Sequence, residues 1–221
     1  MTIWGNMLAS AVLCAGIVLL AGQALAQDEV LQPDTATAAG VAHSGPRAGT
    51  SKTIGDFRIW KRITLGTHKG VNALRDSLDA ANIRIGESAD EILGRPAFRF
   101  SKTRMPLDLV VLTAVDLGFD KGSWPLRALY QRAVQLGLEL CPAEAAPQLR
   151  LEYLNQPVGE FLHVAMQPIA TYRGDLVDLT VGNGGAGLIL IGGDGNPDLK
   201  LHSSVKFVFV RPYRIAQPNV P

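Results

Sequence analysis

The chain has 221 residues, 47% of them hydrophobic, and 21 Lys and Arg against 20 Asp and Glu leave a net charge of +1. That near-neutral balance carries no electrostatic footprint for nucleic acid and no polybasic patch for a membrane surface. Its two cysteines, Cys14 and Cys141, fall on either side of an expected cleavage point, so the exported part has no disulfide and must be held by an ordinary core.

Residues 7–20 form an apolar run interrupted only by small residues, and Ala24-Leu25-Ala26 ahead of Gln27 places small residues at −3 and −1 of a cleavage site between Ala26 and Gln27. The run is short for a membrane span. Residues 1–26 are therefore expected to be a signal peptide, and the mature protein to be periplasmic or secreted, with no membrane contact after cleavage. No Lys or Arg precedes the run, which keeps a retained anchor as the competing reading. Leu13, just before Cys14, is too large for a lipoprotein signal. Residues 27–53 are rich in Ala, Gly, Thr, Ser and Pro, have no aromatic residue, and predict a disordered linker.

A single domain is expected over 54–212, followed by an irregular tail over 213–221. Alternation over 57–65 predicts a first strand that Gly66 stops. Val71, Leu74, Leu78 and Ala81 then recur at helical spacing. Ser88-Ala89-Asp90-Glu91 predicts a capping box opening a second helix, which Gly94 and Pro96 end. Residues 107–115 read as a buried strand. Ser123 as N-cap and Pro125 in the first turn predict a third helix, ended by Gly137. From Gln148 the period changes to two: Leu149, Leu151 and Tyr153 alternate with Arg150 and Glu152, and runs at 161–166, 176–181, 188–191 and 207–210 follow. The fold expected is α+β, with three short helices of the N-terminal half packed on a mostly antiparallel meander from the C-terminal half.

Several patterns resemble chemistry by letter. Gly182-Asn183-Gly184-Gly185-Ala186-Gly187 fits G-x-G-x-x-G, but a nucleotide fingerprint needs those glycines to open a helix. Here a strand follows, and glycine suits a hairpin loop. Asp194-Gly195-Asn196-Pro197-Asp198 has alternate oxygen ligands, yet Leu199 and Val205 stand where a calcium loop needs Gly and Glu, so an Asx turn is the plainer account. Cys141, flanked by Leu140 and Pro142, reads as a small buried hydrophobe rather than a nucleophile working with His163. His68, His163 and His202 lie far apart with no zinc spacing, and no metal or cofactor is expected. Glu139, Glu144, Glu152, Glu160, Asp175 and Asp178 could supply paired carboxylates, but spacing alone pairs none of them.

Glu144, Gln148 and Arg150 stand apart because they cluster where a helix is expected to hand over to a strand. Two readings are open: Glu144 caps or pairs with Arg150 to fix the junction, or the three form a polar binding cluster.

The stretches Trp60-Lys61, Leu65-Gly66-Thr67, Ile92-Leu93-Gly94-Arg95-Pro96-Ala97-Phe98, Leu136 through Glu144 (LGLELCPAE), Pro147-Gln148-Leu149-Arg150-Leu151 and Phe207 through Arg211 (FVFVR) together resemble a family of small uncharacterised bacterial proteins. The resemblance covers about 54–211 and implies one folding unit but no activity; glycines at 182–195 replace the acidic residues it leads one to expect. Function is expected to be that of a non-catalytic exported binding or envelope-associated module, contacting an unknown envelope protein or glycan. The alternative is a small exported hydrolase with a carboxylate pair that includes Glu144.

Overall fold

A computed structural model describes residues 52–213. The expected signal peptide, the Ala26–Gln27 cleavage point, nearly all of the linker and most of the tail lie outside the described residues.

After a short 3-10 turn at Ile54–Asp56 come β1 (Lys61–Leu65), α1 (Val71–Ala80), β2 (Arg84–Ile85), α2 (Glu87–Leu93), β3 (Met105–Leu112), β4 (Ser123–Pro125) and α3 (Leu126–Gln135). The second half contributes α4 (Ala145–Glu152), β5 (Phe161–Ala170), β6 (Leu176–Asn183), β7 (Leu188–Asp194), β8 (Lys200–His202) and β9 (Lys206–Arg211). Seven strands make one sheet in the order β1-β3-β9-β5-β6-β7-β2, and β4 pairs with β8 in a separate ribbon.

The class is α+β in one domain, as expected, but the details differ. Among the described residues there are four α-helices rather than three, and the sheet is mixed, because β5 runs parallel to β9 and β2 runs parallel to β7. β9 therefore inserts between β3 and β5 instead of continuing a meander. Helices cover both faces. Leu74 and Leu78 of α1, Ile92 of α2 and Leu149 of α4 pack with Val164, Leu179 and Val208 on one side. Leu126, Leu129 and Ala133 of α3 pack with Ala165, Phe207 and Phe209 on the other. Phe207-Val208-Phe209-Val210 is apolar throughout because its alternate side chains enter two different cores.

The largest correction falls at 148–153, expected to alternate as a strand and found to be the end of α4 with its C-cap at Tyr153. Alternating polar residues suggested a half-exposed sheet, but Gln148 and Arg150 are buried with the apolar ones. A helix buried nearly all round hides its own period. Two helix starts also differ. Ser88 does not cap α2: Gly86 holds the N-cap position, the Ser88 hydroxyl donates to Gly192 O, and Glu91 accepts from the Tyr172 amide. Ser123 to Pro125 forms β4, and α3 begins one residue later. Gly137 does end α3, at φ 89°, with Gly137 N–H donating to Val134 O and Leu138 N–H to Ala133 O.

The glycines at 182–195 have packing roles. Gly185 and Gly187, at φ 85° and 105°, turn the hairpin between β6 and β7. A Cβ on Gly192 would lie 2.4 Å from Ser88 Oγ and 2.7 Å from Ala89 N, so α2 rests directly on β7 there. Gly66 follows β1 at φ 70°, and its Cβ would meet Thr103 O at 2.2 Å. Gly66→Ala is expected to lower unfolding free energy by about 2 kcal/mol through combined backbone strain and overpacking, read from urea denaturation.

Candidate functional site

The three residues singled out in the sequence all fall on α4, Glu144 at its N-cap, Gln148 in its middle and Arg150 in its last turn, and all three face inward. Glu144, Gln148 and Arg150 are 1%, 6% and 0% exposed. Glu144 accepts the Gly66 amide at 2.9 Å on one oxygen and the Ser101 amide at 2.7 Å on the other. It thus pins the turn after β1 and the loop before β3 to the start of α4. Gln148 accepts from Thr67 Oγ1 at 2.6 Å and donates to Glu152 at 2.6 Å.

Arg150 does not pair with Glu144. Its guanidinium donates to the Gln156 side-chain oxygen, to Gly182 O at 3.1 Å and to the Tyr153 carbonyl. Gln156, 4% exposed, donates in turn to Val181 O and Glu160 O. Burial pulls the Arg150 guanidinium down to about 10, so it stays cationic at neutral pH. Arg150 therefore ties α4 to its own C-terminal turn and to the end of β6. As a contact surface the cluster is closed. Glu144→Ala strands two half-buried amides and is expected to cost about 2 kcal/mol, with Glu144→Gln recovering part of it; thermal unfolding of both variants reads this.

Cys141 is 4% exposed, its thiol donates toward Val208 O, and burial pushes its pKa up. A protonated, enclosed thiol of this kind is a packing residue. The Asp194–Asp198 loop closes on itself, with Asn196 N–H donating to Asp194 Oδ1 and Asp198 N–H to Asn196 Oδ1. Glu160 accepts from Lys206 Nζ and Tyr153 Oη.

One pairing escaped the sequence reading. On the α3 face of the sheet, His163 of β5 and Asp178 of β6 lie buried side by side, Nε2 2.6 Å from Oδ2, with Asp178 1% exposed. Thr180 Oγ1 lies 3.4 Å from His163 Nδ1, and the Phe207 ring meets the imidazole edge-on at 5.2 Å. Gly193 opposite supplies the room: a Cβ there would sit 2.9 Å from Asp178 Oδ1. A signal was present. Asp178 interrupts the apolar set Val177, Leu179 and Val181 on the opposite face from those residues, and Thr180 is the cross-strand partner of His163.

Two clefts flank the end of β7. The first, of about 570 Å³, runs along α3 past Leu126, Tyr130 and Val134 and is closed on its other side by Leu140, Pro168 and Leu176. Pro168 lies within the irregularity that β5 carries between Val164 and Ile169, where a proline does not break the strand pairing. The Tyr130 hydroxyl is pushed well above its ordinary range by burial and by the Asp178 charge. The second cleft, of about 960 Å³, is polar and includes Glu87, Glu91, Arg173 and Asp194. Neither is lined by Glu144, Gln148 or Arg150.

No family model matches the chain, and neither a curated protein nor a solved structure matches it.

Proposed function

We propose that the protein is an exported, non-catalytic binding module, periplasmic or secreted, that meets an envelope component through the end of the sheet where β6 and β7 carry the two clefts. The observation that supports this reading is the apolar groove along α3, lined by Leu126, Val134, Leu140 and Leu176. The resemblance to small uncharacterised bacterial proteins belongs to the same proposal and adds no activity to it. The junction of Glu144, Gln148 and Arg150 then serves to hold the fold that presents the groove. Burial of Glu144 at 1% exposed, with each oxygen accepting a backbone amide, supports a structural role for it over a hydrolytic one.

A second reading, an exported hydrolase, is favoured by one observation: the chain of contacts from Asp178 through His163 to the Thr180 hydroxyl. Protein purified from an exporting host, assayed against ester, amide and glycan substrates, separates the two. Retention of an envelope component without turnover supports the module. Turnover that Asp178→Asn abolishes while the fold survives would transfer the function to the His163 pair.

A further inference from the structure

We infer that the β1 edge of the domain carries a basic face that docks on an anionic phospholipid bilayer, a contact separate from the clefts beside β7. A net charge of +1 averages over an uneven surface. Loops 66–70 and 99–106 hold Lys69, Arg99, Lys102 and Arg104 and no Asp or Glu. The fold brings these loops together: Glu144 accepts the amides of Gly66 and Ser101, and a Cβ on Gly66 would lie 3.1 Å from Arg104 N. All four cations are exposed, and among the described residues none makes an ion pair or a side-chain hydrogen bond. Arg62, Arg75, Arg127 and Lys206, by contrast, are each held by a carboxylate. The carboxylates bonded at this corner are Glu144, which is enclosed, and Glu152, which accepts the Thr64 amide. The exposed balance there is positive.

Shape selects among anionic partners. Neither cleft includes any of the four cations, so nothing at this corner encloses a small anion or tracks a single polyanionic strand. Met105 and Pro106 stand exposed beside Arg104 and supply apolar groups that can enter a headgroup layer. Long cationic side chains on an open face, with an apolar residue among them, suit a plane of lipid phosphates, where each Lys or Arg adds its own attraction. The position fits a mooring. In the sheet order β1 lies at one end, and five strand spacings, about 24 Å, separate it from β7. A domain held by this face keeps its clefts clear of the bilayer.

The test is co-sedimentation of the exported protein with vesicles of equimolar phosphatidylglycerol and phosphatidylcholine, against vesicles of phosphatidylcholine alone. Binding is expected only to the first, and raising salt to about 1 M, where the screening length is about 3 Å, should release it. Lys102→Glu with Arg104→Glu, both at exposed positions, should weaken binding at least tenfold. Lys121→Glu with Lys200→Glu changes the net charge equally on the β4–β8 ribbon and should weaken it far less. Val134→Glu, which puts a charge in the groove along α3, should leave vesicle binding unchanged. Binding that ignores phosphatidylglycerol overturns the proposal, as does an equal loss in the two double variants. Loss in Val134→Glu would move the contact to the groove and overturn it as well. Binding to soluble polyphosphate without binding to vesicles rules out the bilayer. None of these outcomes touches the groove reading, which retention of envelope components decides separately.

Discussion

Arg150→Ala is expected to destabilise the domain by about 4 kcal/mol, toward the upper end of what single substitutions do. The side chain is wholly enclosed and leaves behind three acceptors, on Gln156, Gly182 and Tyr153, two of them backbone carbonyls. Each stranded acceptor costs about 1–3 kcal/mol if water does not reach it, and the lost volume adds to that. Partial solvation keeps the sum below the simple total. Arg150→Lys should recover only a minor share, because an ammonium cannot reproduce a planar fork reaching three oxygens. Guanidinium denaturation of the three proteins measures this directly. A loss under about 1 kcal/mol for Arg150→Ala would mean that its three hydrogen bonds add little to what the apolar contacts and Glu144 supply to α4.

Asp178→Ala is expected to cost about 3 kcal/mol, because it leaves His163 buried with an uncompensated polar nitrogen. The more telling variant removes both partners. Asp178→Leu combined with His163→Leu should lie within about 1 kcal/mol of the unsubstituted protein, since apolar replacement of a buried pair abolishes the desolvation cost along with the attraction. A strongly unstable double variant would show that the pair holds β5 to β6 beyond what packing can replace. A stable double variant that still retains envelope components would place the binding function outside the His163 pair.

Much of the architecture is legible in the chain. The 3.6-residue period of α1 and α3 survives because each helix buries one stripe and exposes the other. The strands at 161–166, 176–181, 188–191 and 207–210 are found within β5, β6, β7 and β9 because turn residues bound them. The order of strands is not written locally. That β9 inserts beside β5 in parallel depends on long-range packing of its two apolar faces.

The polar residues explain the rest of the difference. Gln148 and Arg150 interrupt an apolar helix, and their alternation mimics a strand only while their partners, Thr67 and Gln156, remain unknown. Glu144, Gln148 and Arg150 are distinctive in the sequence for the same reason they are enclosed: each satisfies several polar groups that the fold takes out of water. Distinctiveness there marks a structural junction. The groove, by contrast, is lined by ordinary Leu, Val, Pro and Tyr drawn from α3, β5, β6 and the β7–β8 turn, and no local motif announces it.

Amide chemical-shift mapping of the exported protein, titrated with solubilised envelope fraction, shows whether an envelope component binds in the groove along α3. The expected result is a contiguous set of perturbed amides along α3 and around Leu176 and Pro197, absent in Val134→Glu, with Glu144 to Arg150 unmoved. Perturbations centred on Glu144 to Arg150, or a groove response that persists in Val134→Glu, would contradict it.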